Sequence, residues 1–401
     1  MTGLLAQHGA AKGKKITDSI LEGILKGAIF SPNDEKIDSI ITYVEKTDGL
    51  NFENTFLDPQ FYFSTFESTV LKKLSDIDSY PSNIVRRDWR KKSPNILNYI
   101  EVHAEKTQEI SSTLIAPGFY IDNIDWRFDY SIEMYNYCVE KFKFKKYALS
   151  LLINTSFFSN KVNVDELIDE LDDTVKFKDF IYITFCHDNN AESNYEEMDS
   201  SCLGNILYTI YRLKKIGFKI IIGYTFINSI LFSVLDCDFV ASGWFNTLRK
   251  FQKNRFDLSD TFGRRKKRYT STPLLSYIMF EDLRRMLDTE IINYEDVLSG
   301  SKYDDKYQKN PESLSFVDLE HQYWESISII LGRMEKAGDI SSRINFMREL
   351  IKNAIELYKK VIVLLERNEE KEAATRIKST SKHLVTWLDA IDVFKSRALI
   401  V

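Results

Sequence analysis

KYALSLLINTSFFSNKVNVDELIDELDDTVKFKDFIYITFCHDN, residues 146–189, decides the fold. Its first part, KYALSLLINTSFF (146–158), is apolar almost without interruption. NVDELIDELDD follows with its apolar residues at helical spacing, and DFIYITFCHDN (179–189) then repeats the apolar run. Short apolar runs on either side of an amphipathic helix read as strands. Strands with no apolar/polar alternation are covered on both faces, as in a parallel sheet whose crossover helices pack on the outside.

The same unit extends in both directions. Upstream lie GAIFSP (27–32), NTFLDPQFYF (54–63) and STLIAPGFYID (112–122), the first and third followed by helical segments. Asn33 or Asp34 is placed to cap the helix after the first of these. Downstream, a helical segment ends at Gly217. FKIIIGYTF (218–226) and CDFVASGWF come next, and RYTSTPLLSYI (268–278) is read as the eighth and weakest strand. Strand–helix units repeated over this length predict an α/β chain, a (β/α)8 TIM-like barrel with a helical insertion and a C-terminal all-helical extension. The rival is a doubly wound open sheet, which often carries a glycine-rich loop after its first strand; no such loop follows GAIFSP. The expected boundaries are a barrel over 1–298, with 77–111 as the insertion, and a helical bundle or cap over 313–401. The polar stretch 299–313 links them.

Composition excludes little. The 401 residues carry 54 basic and 59 acidic side chains, a net charge of −5, so no global charge draws the chain to nucleic acid or anionic membrane. Cys138, Cys186, Cys202 and Cys237 form no CxxC pair, which points to reduced thiols. With no signal-peptide pattern and no membrane-length apolar run, a cytoplasmic protein is expected.

In a barrel, chemistry sits at the C-terminal ends of the strands. Polar residues recur there, although strand ends meet solvent and helix caps are polar in any case. Asp58 precedes a proline and is therefore extended, able to aim its carboxylate across the mouth with Gln60 and Tyr62 beside it, or to cap a turn. Asp122 and Asp188 are the other acid/base or nucleophile candidates. His187, at a strand end, joins Ser242 and Trp244 as substrate-binding candidates. No metal-ligand spacing such as HxH or HExxH occurs, and no cofactor is indicated. Five successive basic residues, Arg264–Arg268, precede the expected last strand. With Arg249 they lie where barrels often bind phosphate, so Arg249, Arg264, Arg265 and Tyr269 are phosphate or substrate candidates. RRDWRKK (86–92) either contacts nucleic acid or packs Trp89 under solvated cations.

GYTFINSILFSVLDCDFVASGWF resembles the late-barrel segment of tRNA-guanine transglycosylase-like proteins, with Gly223, Asp238 and Ser242 as the corresponding residues. The likeness spans some 25 of the 401 residues. It implies a TIM barrel that exchanges or removes a base using aspartates. Many members bind zinc through clustered cysteines, which this chain lacks.

Two functions follow. One is an enzyme, transglycosylase- or hydrolase-like, acting on a phosphate-bearing nucleoside, nucleotide or nucleic acid. The other is a non-catalytic barrel, a recognition or scaffold subunit of a prokaryotic defence or nucleic-acid-processing complex. Its protein partner would meet the C-terminal helices around Trp324 and Trp387. Carboxylates converging in a deep pocket favour the first; a mouth plugged by aromatic side chains favours the second.

Overall fold

A computed structural model describes residues 2–66, 72–77, 80–81, 84–187, 198–253 and 266–400. Eight parallel strands follow in chain order: β1 Gly3–Gln7, β2 Gly27–Phe30, β3 Thr55–Leu57, β4 Thr113–Ala116, β5 Lys146–Asn154, β6 Phe180–His187, β7 Lys219–Gly223 and β8 Phe239–Ser242. β8 pairs back onto β1, with Gly3 opposite Phe239 and Ala6 opposite Ser242, so the sheet curls into a nearly closed barrel. At the joint between β3 and β4, loop bonds replace the ladder. Ser112 N donates to Phe52 O at 2.7 Å, and Ser111 Oγ donates to Thr55 O.

Each strand contributes inward to one apolar cluster of Leu5, Ile29, Phe56, Ile115, Ala148, Phe180, Tyr182, Ile221 and Ala241. Their outward neighbours, such as Leu4, Ala6, Phe30 and Leu57, join the larger core beneath the helices. Both faces of every strand are thus buried, which explains the unbroken apolar runs. The crossover helices are α1 Lys15–Leu21, α2 Ile37–Lys46, α3 Pro94–Gln108, α4 Trp126–Lys141, α5 Lys161–Thr174, α6 Ser200–Lys215 and α7 Ser229–Ser233. Gly217 ends α6 with φ 107°, a conformation that favours glycine.

The strand count holds, but its register along the chain shifts by one. GLLAQ is the first strand, so GAIFSP is the second and CDFVASGWF the eighth. The run 268–278 is an antiparallel hairpin outside the barrel, β9 Arg268–Ser271 with β10 Ser276–Met279. The helical excursion after β3 contains α3, which packs on β4 as a crossover helix does. α8 Phe316–Lys336 lies against β1, α1 and α7, the position of an eighth barrel helix. Beyond it come α9 Ile340–Arg367, α10 Lys371–Thr380 and α11 Lys382–Ala398, the last packed along α6. Trp324 and Trp387 are both buried in this packing. Among the described residues, no helix is long and apolar enough to cross a membrane.

One crossover helix carries a titratable group in the core. His103 of α3 is 3% exposed, and its Nε2 lies 2.9 Å from Ile115 O, so Nε2 carries the proton and donates. Burial, the dominant cause, lowers its pKa to about 4. The unfolded chain therefore takes up this proton near its ordinary value of 6.5, and the folded chain only near 4. Stability is expected to fall as pH drops through that window, by up to about 3 kcal/mol from this group. Urea midpoints at pH 7 and pH 4.5 check this: His103→Gln should show a smaller acid loss than the wild type.

Candidate functional site

LDPQFYF builds the site at the end of β3. Asp58 lies two residues beyond the inward Phe56, so it also points inward. Gln60 adopts the left-handed conformation (φ 50°), and its N–H donates to Asp58 Oδ1 at 2.9 Å. This Asx-type turn is braced from behind. Tyr99 OH donates to Pro59 O, and Tyr80 OH to Gln60 O at 2.7 Å. The 3₁₀ turn Phe61–Thr65 brings Tyr62 OH to Asp58 Oδ2 at 3.1 Å. From β6, Tyr182 OH reaches the same oxygen at 3.2 Å. Gly223 makes room for it, since a Cβ there would stand 2.8 Å from that hydroxyl. Burial, then the charge of Asp58, pushes both phenols well above their ordinary pKa, so they stay protonated donors.

Around this carboxylate the barrel's upper interior is polar. Gln7 ends β1; Ser31 and Asn33 follow β2. Gln7, Ser31, Asp58 and Gln60 have no exposed surface, and Asn33 is 1% exposed. Gln60 Oε1 accepts from Asn33 N at 2.8 Å, and Gln7 Oε1 accepts from Tyr224 N at 3.4 Å. These bonds fix both amides with the NH2 group turned the other way. Among the described residues, neither Nε2 has a hydrogen-bond partner, nor do Ser31 Oγ and the side-chain amide of Asn33. Buried polar groups are normally paired, and each orphan costs about 1–3 kcal/mol. A barrel built only for packing would place a further apolar layer here. Asn33 or Asp34 was expected as a helix cap; instead Lys36 stands at the N-cap position of α2 with no side-chain bond to the helix, and Asn33 stays inside.

A roof of Tyr62, Phe63, Phe66, Tyr120, Leu152, Cys186, Tyr224 and Phe251 closes the mouth. Beside it, His8 Nε2 lies 3.1 Å from Glu35 Oε2. That bond, helped by Lys12, lowers the Glu35 pKa to about 2 against the cost of burial.

The β8 end is built for docking. Ser242 Oγ donates to Thr225 O and lies 2.6 Å from Tyr323 OH, and Ser242 O accepts from Trp324 Nε1 at 2.9 Å. Trp244 is 1% exposed; its Nε1 donates to Ala10 O, and its ring meets Trp324 edge-on at 6.0 Å. Gly243 is required by close approach: a Cβ would stand 2.2 Å from Leu248 Cβ. Arg249 is also 1% exposed. It donates to Gly243 O at 2.8 Å and Trp244 O at 3.2 Å, and its guanidinium lies 3.6 Å from the Tyr323 ring centre, with Tyr277 and Phe226 around it.

The other candidates are scattered. His187 closes β6 and is 6% exposed. The Asp122 side chain is 43% exposed and pairs with Arg127, which also holds Asp125, the cap of α4. Tyr269 is buried in the hairpin, bonded to Asp304 and Ser299. Asp188, Arg264 and Arg265 lie outside the described residues. Trp89 packs: its Nε1 donates to Glu133 at 2.7 Å, beside Tyr130. Among the described residues, no group of three His, Cys, Asp or Glu could hold a metal.

Of the expected residues, the mouth therefore unites Asp58, Gln60 and Tyr62. Gln7, Asn33 and Tyr182 are added. Tyr182 and Thr184 carry a signal in the sequence, two polar side chains at the same parity in an apolar strand. Gln7 was hidden because its strand was not recognised. No protein-family model matches the chain, and no curated protein matches it.

Proposed function

We propose that this barrel is an enzyme acting on a nucleoside, nucleotide or nucleic acid, with the base bound in the polar upper layer. The observation that carries this reading is the set of orphaned, oriented donors, Gln7 Nε2 and Gln60 Nε2, buried in the same upper layer of the barrel as the Asp58 carboxylate. Fixed amides and a carboxylate match the hydrogen-bonding edge of a base, and the aromatic roof suits its faces. Asp58 is the candidate acid/base or nucleophile of a transglycosylase- or hydrolase-like reaction, in line with the resemblance of the β7–β8 segment. Native mass spectrometry of the purified protein should reveal a co-purified base-bearing ligand, or binding from a panel of nucleosides, nucleotides and oligonucleotides. Gln60→Leu should abolish it. No binding across the panel would overturn the reading.

The energetics give a second check. Gln7→Leu removes an unpaired buried NH2 group together with the acceptor of the long 3.4 Å bond from Tyr224 N, so the two effects oppose and stability should stay within about 1 kcal/mol of wild type while ligand binding is lost. A denaturation midpoint well below wild type would mean that the amide serves the fold.

The closed aromatic roof favours the alternative, a non-catalytic recognition or scaffold barrel. In that case Asp58→Asn would leave the protein's binding to its partner unchanged.

A further inference from the structure

RRDWRKK, residues 86–92, sets five cations in seven positions of a chain whose net charge is −5. Arg86, Arg87, Arg90, Lys91 and Lys92 are all exposed. Among the described residues, none of the five is ion-paired, whereas surface lysines elsewhere are neutralised, Lys106 by Asp38 and both Lys145 and Lys146 by Glu53. The acids nearby are engaged or distant. Asp88 Oδ2 accepts from Val85 N at 3.0 Å and Glu133 from Trp89 Nε1 at 2.7 Å, while Asp129 lies within reach of the Arg86 charge without pairing to it.

Backbone and core contacts give the stretch a fixed shape. Trp89 is 4% exposed and turned inward. Lys92, at φ 46°, donates its N–H to Trp89 O at 2.7 Å, and Ser93 N donates to Asp88 O at 2.9 Å. Ile84 N donates to Ser64 O at 3.0 Å, which ties the stretch to the turn that carries Tyr62. α3 starts directly after it with no acidic residue in its first turn, and Trp89 packs on Tyr130 near the start of α4. Crossover helices start where strands end, so the cations stand on the mouth side of the barrel, at its β3–β4 rim.

We infer that this rim binds the sugar-phosphate backbone of a nucleic acid strand. That the strand carries the base held in the polar layer rests on the reading above; the backbone binding does not. Unpaired, exposed cations in a row match a polyanion, and their counterion release drives such binding. With its indole buried, Trp89 offers no stacking face, so the rim reads charge and not sequence. A membrane surface fits less well, because it needs an apolar face beside the charge and Val85 is the one exposed large apolar residue along this stretch.

Fluorescence anisotropy with labelled single-stranded RNA and DNA, read between about 50 and 200 mM salt, tests this. Binding of either polymer, weakening steeply with salt and changing little with sequence, is expected. The triple variant Arg87→Gln, Arg90→Gln, Lys91→Gln should raise Kd about tenfold or more and flatten the logarithmic salt slope by about 2. The same charge removed from α10 and α11, by Lys371→Gln, Lys378→Gln and Lys382→Gln, should change Kd less than about twofold. Equal weakening in both triple variants would mean general charge attraction and overturn the rim. So would binding to phosphatidylserine vesicles but to no oligonucleotide. If Gln60→Leu abolishes nucleoside binding while the rim variant still holds strands as the wild type does, the polar-layer reading stands and the rim falls. If the rim variant alone loses strands and no nucleoside binds, the rim stands and that reading falls.

Discussion

Trp324→Ala is expected to lower the free energy of unfolding by about 3–5 kcal/mol, the range for deleting a buried aromatic side chain. Trp324 has no exposed surface. Its indole N–H is the partner of Ser242 O at the end of β8, and its ring meets Trp244 edge-on. The substitution therefore opens a cavity and leaves a buried carbonyl unpaired where α8 meets β8. Urea denaturation followed by circular dichroism measures the loss. A shift below about 1 kcal/mol would show that α8 docks mainly through other contacts, such as the 2.9 Å bond between Ser19 Oγ and His321 Nδ1.

Asp58→Ala should be comparably severe, about 3–5 kcal/mol, because three buried donors lose their acceptor together: Gln60 N, Tyr62 OH and Tyr182 OH. Asp58→Asn should cost less, since its remaining oxygen can still accept from Gln60 N and hold the turn. The pair separates fold from function. In the proposed enzyme, Asp58→Asn loses activity while staying folded, whereas a carboxylate that only staples the turn tolerates the amide. Denaturation midpoints and turnover of any ligand found by mass spectrometry are the two readouts.

The barrel was legible because parallel strands covered on both faces leave unbroken apolar runs between helical segments. Its register was not. GLLAQ has only five residues, and 268–278 has strand-like composition that an isolated hairpin shares. That slip placed Trp244 and Arg249 in the wrong company. A tryptophan and an arginine beyond a strand end read alike whether they face a ligand or a docked helix, and only the late helix α8 decides between the two. Asp58, Gln60 and Tyr62 were legible because proline fixes the backbone before it and the residues are adjacent in sequence. Gln7, Asn33 and Tyr182 reach the same layer from other strands, and their convergence depends on how the sheet closes.

The closing seam between β1 and β8 bears on how the chain is made. Gly3 pairs with Phe239, so one side of the first strand waits for more than half of the chain to be synthesised. During that time β1 offers an open row of amides and carbonyls, the kind of edge through which chains aggregate. The lysine-rich turn after it, Lys12, Lys14 and Lys15, supplies the positive charge that discourages such pairing. The seam that completes the barrel is thus among the last to form, and a ribosome-bound intermediate should be a partly wound sheet with β1 still exposed.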